Sequence, residues 1–190
     1  MKFKAIILLS GTLALVACGP RDETANADLN LDTNLALDNE AANDSMAAAP
    51  TTSQGFANAA AASDRFEIES SRLAATAGQS AAIKKFAAQM VTAHTESTAK
   101  LKTAAAALSP PVTADDTLPP PLQQKLDSLR GLQGAEFDSA YAAAQVEAHQ
   151  KALDMLKGYA ASGDNPKLKE LASGLVPKVT AHLNMANGLK

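Results

Sequence analysis

From residue 56 onward, apolar side chains recur at intervals of three and four, and no stretch alternates apolar with polar residues over the length of a strand. That periodicity confines the region to helices that bury one face against other helices. Glycine and proline divide it into four long helices. The first is expected over about 56–77, with Phe56, Ala60, Ser63, Glu67, Ser70, Ala74 and Ala77 in one stripe, Phe66 and Leu73 beside it, and Gly78 as the stop. The second is expected over about 80–108, capped by Ser80 and ended by Pro110 and Pro111; its stripe carries Ile83, Ala87, Met90, His94, Ser97 and Leu101. The third main helix covers about 135–161, with Ala142, Gln145, His149, Ala152, Leu156 and Tyr159 on one face and Gly163 after it. The fourth covers about 166–188, begins at Pro166, carries Leu168, Leu171, Leu175, Val179 and His182, and contains Pro177, which should kink it by a few tens of degrees at most.

The first two helices are joined by a very short loop, and so are the last two, which makes each pair an antiparallel hairpin. Between the pairs lie about 25 residues, with a short extra helix expected over 122–130. That connection is long enough to run the length of the bundle. Two topologies stay open: two hairpins joined by a crossover, or an up-down-up-down bundle with a decorated loop. The expected fold class is all-α, a ferritin-like four-helix bundle over 55–190 with a long connection between helices 2 and 3.

The N-terminal third is different material. Lys2 and Lys4 precede an apolar run from Ala5 to Ala17, too short to span a bilayer comfortably, so 1–17 reads as a secretory signal. It ends Leu15-Val16-Ala17-Cys18, which resembles a bacterial lipobox. Cys18 is the only cysteine, so no intrachain disulfide is possible and acylation at Cys18 is expected. Gly19, where an aspartate would signal retention, points to the outer membrane. Residues 18–54 read as an acidic flexible tether. Residues 19–53 hold seven acidic groups against Arg21 and too little apolar mass to offset ordering. Its reach is roughly 35 Å. From residue 54 on, 14 basic and 13 acidic residues nearly cancel, which gives no electrostatic footprint for nucleic acid.

The chemistry sits in an unusual repeat. The chain has three histidines, and each closes a Val-x-Ala-His tetrapeptide: Val91 to His94, Val146 to His149 and Val179 to His182. Each lies on the apolar stripe of a different helix, and Glu67 lies on the stripe of the remaining one. At 1.5 Å per residue, Glu67 stands about 16 Å and His94 about 21 Å from the first hairpin turn; His149 stands about 20 Å and His182 about 26 Å from the second. All four fall near mid-height in a bundle roughly 35–40 Å long. Three imidazoles and a carboxylate make a four-coordinate shell for one transition metal, with Zn, Fe, Cu and Ni all suited to imidazole. The competing reading is a metal-free polar cluster that sets helix register. A bridged di-iron centre would need Glu-x-x-His, and here the carboxylate positions are Val91, Val146 and Val179.

Other polar residues have plainer expectations. Glu69 is placed to pair with Arg65 or Arg72, and Glu147 faces away from His149. Tyr141, Tyr159, Met90 and Met155 read as core. There is no glycine-rich phosphate loop, paired-cysteine site or nucleophile elbow, so no catalytic residue is assigned.

The stretches DRFEIESSRLA (64–74), IKKFAAQMVTAH (83–94), FDSAYAAAQVEAHQKAL (137–153) and GDNPKLKELASGLVPKVTAHLNMA (163–186) resemble the bacterial domain of unknown function 4142, a ferritin-like family expected in the cell envelope. The resemblance covers nearly all of 55–189. It implies a four-helix ferritin-like bundle and export, and it places the family's glutamate on Glu67, its histidines on His94, His149 and His182, and its third-helix glutamine on Gln145 as a supporting residue. Where the family often has an acid just before the second-helix histidine, this chain has Ala93, which leaves His94 without that orienting partner. The resemblance carries no activity. The expected function is a lipid-anchored periplasmic bundle that binds one transition metal for storage, sensing or protection. The alternatives are a non-catalytic envelope structural, stress or interaction module and, third, a metal-dependent oxidoreductase.

Overall fold

The computed structural model describes residues 49–189; the expected signal over 1–17, Cys18 and the expected tether up to residue 48 lie outside the described residues. Five helices follow in order: α1 Ser53–Ala77, α2 Ala81–Ala106, α3 Pro120–Arg130, α4 Gly134–Ser162 and α5 Pro166–Asn187. Among the described residues no helix is long and apolar enough to cross a membrane.

Caps account for most of the boundaries. The Thr52 side chain accepts from the Gly55 N–H, Ser80 from Ala82, and Asn165 from Lys167 and Leu168, each satisfying donors that a helix start leaves unpaired. Gly78 and Gly163 follow the ends of α1 and α4. α5 continues through Pro177. α3 starts at Pro120, two residues before the expected position, because prolines at 120 and 121 fit a first helical turn.

The expected tether reached residue 54, but the folded unit begins before that. Thr52 already caps α1, and the Thr51 carbonyl accepts from the Asp164 N–H at 2.9 Å. Ala49 lies against Gly158 so closely that a Cβ added there would stand 2.5 Å from the Ala49 Cβ.

Long-range contacts at the bundle ends decide the topology. At one end the Asp138 carboxylate, near the start of α4, accepts from the N–H groups of Gln79 and Ser80 at 3.0 and 2.7 Å. Gly134, whose φ of 61° suits glycine, pairs with Gly78 beside it. At the other end the Phe56 and Tyr159 rings stack with centroids 4.1 Å apart, and Asp164 accepts from Ser53 Oγ at 2.6 Å and from Tyr159 OH at 2.9 Å. α1 and α4 therefore run antiparallel, α2 and α4 run in the same direction, and residues 107–133 travel the whole bundle. The structure is two hairpins joined by a crossover, not an up-down-up-down bundle.

The crossover is bound along α1. Gln54 Nε2 donates to the Thr113 carbonyl at 2.7 Å, the Asp115 N–H donates to Asn58 Oδ1 at 3.0 Å, and Arg65 meets Asp116 at 3.5 Å. α3 then sets Leu126 and Leu129 into the core beside Phe66, Phe137 and Tyr141. Two apolar clusters result. One holds Phe66, Phe86, Met90, Phe137 and Tyr141; the other holds Phe56, Leu101, Leu153, Leu156, Tyr159 and Leu168. Asp64, His94 and His149 lie between them in sequence height, while the buried Glu67, Ser70, Ser71 and Gln145 lie at the level of the first cluster.

Candidate metal centre

His94 on α2, His149 on α4 and His182 on α5 meet. Each pair of rings has centroids 5.5 Å apart, and one nitrogen from each ring lies within 4.8 Å of the other two. His94 and His149 are buried and His182 is half-buried. Two of the valines three residues before them are drawn into the apolar flanks: Val146 packs on the Phe66 cluster and Val179 is part of the Phe56 cluster.

Two rings have a fixed tautomer. His149 Nδ1 lies 2.7 Å from the Gln145 carbonyl oxygen, which can only accept, so Nδ1 carries the proton and Nε2 keeps its lone pair. His94 Nδ1 lies 2.7 Å from Asp64 Oδ1, and the other Asp64 oxygen accepts from Thr98 Oγ1 at 2.9 Å. His94 thus presents Nε2 in the same way. The nitrogens left without any hydrogen-bond partner are His94 Nε2, His149 Nε2 and His182 Nδ1.

Asp64 is the residue the sequence reading missed. It is buried, and it supplies from α1 the acid that Ala93 does not supply from α2. Its position follows from the hairpin. The turn centres on Gln79, and residues equally far from it along α1 and α2 stand opposite one another; Asp64 and His94 are both 15 residues away. Ala57, Ala61, Asp64, Ile68 and Ser71 also form a second three-four stripe on α1, and that spacing could have found it.

Glu67 is a correction. It is fully buried, but its carboxylate does not join the converging nitrogens. Glu67 Oε1 lies 3.6 Å from His149 Nδ1, the nitrogen already bonded to the Gln145 carbonyl. Three residues nearer the turn than Asp64, Glu67 sits about 4.5 Å off the level of His94. Neither Glu67 oxygen has a hydrogen-bond partner. Gln145 supports His149 through its backbone carbonyl; its side-chain Nε2 donates to Ser70 Oγ at 3.2 Å.

Burial governs the protonation of the group. It pushes Glu67 up to about 7, partly offset by the charge of His94. Burial lowers His149 and His182 to about 4, so both are neutral bases at pH 7. Burial also acts to lower His94, but the Asp64 hydrogen bond and the Glu67 charge outweigh it, and His94 ends above its ordinary value. The set is two neutral imidazoles and a third, His94, that must give up its Nε2 proton to a cation, backed by two buried carboxyl groups. Such a set can hold a cation.

The remaining residues follow expectation. Glu69 pairs with Arg65 at 2.8 Å and with Arg130 at 3.4 Å, and Glu147 pairs with Lys125 and Lys151. Tyr141 and Tyr159 are core, the former bonded to Ser71 Oγ at 2.7 Å.

The chain belongs to the family described as Domain of unknown function (DUF4142), whose sequence pattern matches residues 38–189. Among solved structures it is similar to CopM in the Cu(II)-bound form, with 18% identity over 72% of this chain and 94% of that chain and a TM-score of 0.60. CopM in the Cu(I)-bound form gives 19% identity, the same coverage and a TM-score of 0.59. CopM in the Ag-bound form, by co-crystallization, gives 19%, 72% and 93%, and 0.57. At these identities the likeness shows the fold. No curated protein sequence matches the chain.

Proposed function

We propose that this chain binds one transition-metal ion, copper before Zn, Fe or Ni, between His94 Nε2, His149 Nε2 and His182 Nδ1. The observation that carries the reading is that one nitrogen of each ring converges with the other two and that each ring has a buried nitrogen with no hydrogen-bond partner. A metal-free polar cluster would be expected to satisfy its own members, because a buried unpaired polar atom costs about 1–3 kcal/mol. Metal–imidazole bonds of about 2.0–2.1 Å require the rings to close on their centre by under about 1 Å each. A divalent ion would also balance two carboxylates, Asp64 and Glu67, without further protein charge. Copper is favoured because Cu(II) tops the divalent series for nitrogen sites, and because the CopM structures of the same fold were determined with Cu(II), Cu(I) and Ag bound.

The setting is the bacterial envelope: a signal over 1–17, acylation at Cys18, a tether reaching the bundle, and an outer-membrane anchor. The role that fits is storage, sensing or protection. The test is metal analysis of full-length protein from its own periplasm, followed by titration of chelated protein with Cu(II). One ion per chain is expected, and a melting temperature that rises with metal; a ligand at 100 times its Kd adds about 2.7 kcal/mol. His149→Ala should abolish both. Protein that resists loading at every pH from 6 to 8, roughly the range where His149 and His182 are neutral, would sink the reading.

A further inference from the structure

The three-histidine set has one closed side and one open side. On the closed side stand Glu67, Gln145 and the Phe86 ring, all buried, with Phe86 edge-on to His149 at 6.3 Å. On the other side lies a cavity of about 80 Å³ that touches His94 and His182 but not His149 or Glu67. Ser97, Ala152 and Met155 also line it, and its mouth, at the seam of α2 and α5, carries the exposed Glu96, Lys100 and Lys178. The cavity exists because small side chains, Ala60, Ser63, Ala93 and Ser97, stand where larger ones would close the seam. It has polar walls and room for a few waters or one small ion.

Resting on the metal-binding reading above, we propose that the metal held by these histidines keeps a fourth coordination position open to this cavity, and that the position takes a small monodentate anion from solvent. Three protein donors leave a four-coordinate ion one ligand short, and among the described residues no fourth His, Cys, Asp or Glu side chain converges with them. Closed sites surround the ion with four protein ligands; a site with three and a solvent path is built to exchange the fourth. The charges suit an anion. Two lysines stand at the mouth against one glutamate, with Lys178 one turn before His182, and the other acid in the lining, Asp64, is already engaged by His94 Nδ1 and Thr98 Oγ1. The fourth ligand is then a hydroxide, a halide or a pseudohalide such as azide.

The experiment uses the full chain loaded with one Cu(II), confirmed by metal analysis, and titrated with sodium azide. A saturable azide-to-copper charge-transfer band with one azide per copper is expected. Ser97→Leu and Ala152→Leu each fill the cavity from a different helix without removing a nitrogen donor. Each should retain one copper and bind azide at least about tenfold more weakly, a loss of about 1.4 kcal/mol. Copper that stays bound but shows no azide band overturns the proposal, as does azide binding of wild-type strength in whichever filled variants fold and retain copper. A chain that takes up no copper fails the metal-binding reading instead, so the two failures are separate.

Discussion

Asp64 shares its carboxylate between two donors on α2, the Nδ1–H of His94 and the hydroxyl of Thr98, so it fixes both the position and the tautomer of one imidazole. Partners of this kind raise the basicity of a ligand, and losing one commonly costs 10–100-fold in metal affinity. Asp64→Asn keeps the shape and removes the charge. It should weaken Cu(II) binding by about 10–100-fold in a competition titration, and unchanged affinity would mean that His94 needs no such partner. Glu67 calls for a different measurement. Its pKa of about 7 in the fold lies above its ordinary 4.5, so the folded chain holds its proton more tightly than the unfolded chain does. That contribution is fully present below about pH 4.5 and is lost as pH rises through about 7. His149 and His182, lowered to about 4, act in the opposite direction as they lose protons. Subtraction isolates Glu67. In chelator, Glu67→Gln should match the wild type near pH 4.5 and exceed it by roughly 3 kcal/mol at pH 8, at about 1.4 kcal/mol per pKa unit. Denaturant melts at the two pH values check this; an advantage independent of pH would mean that Glu67 does not titrate there. The three histidines were legible because each sits on an apolar stripe where a polar residue stands out. Asp64 was not, because α1 buries two stripes and a search for one face stops at the first.

At the level of elements, the hairpins were readable from local chemistry: Ser80 and Asn165 cap, and Gly78 and Gly163 stop. The direction of α4 was not. It depends on Asp138 reaching Gln79 and Ser80, and on Phe56 meeting Tyr159, contacts between residues far apart in the chain that no local period encodes. α1 buries two stripes because three helices, α2, α3 and α4, cover it. α3 is therefore part of the core and not a decoration. Leu126 is fully buried, and Leu126→Ala should destabilise the bundle by about 2–5 kcal/mol in urea unfolding. A change under about 0.5 kcal/mol, typical of a surface site, would place α3 outside the cooperative unit.

For the molecule as a whole, the three converging histidines lie on both hairpins: His94 on the first, His149 and His182 on the second. A metal between them would hold the hairpins together and lift a single cooperative transition. The proposed envelope setting has its own test. Wild-type protein should fractionate with membranes, and Cys18→Ser should move it to the soluble periplasmic fraction; wild-type protein that is already soluble and unacylated would remove the anchor. The topology has a mechanical consequence as well. α1 and α5 run in the same direction, so Ser53 and Asn187 stand at opposite ends of the bundle, across a helix length of roughly 35 Å. A pull on the two ends of the folded unit acts along the helix axes and must slide packed faces past one another together. It cannot peel one helix away turn by turn, so the bundle should yield to tension in one abrupt step.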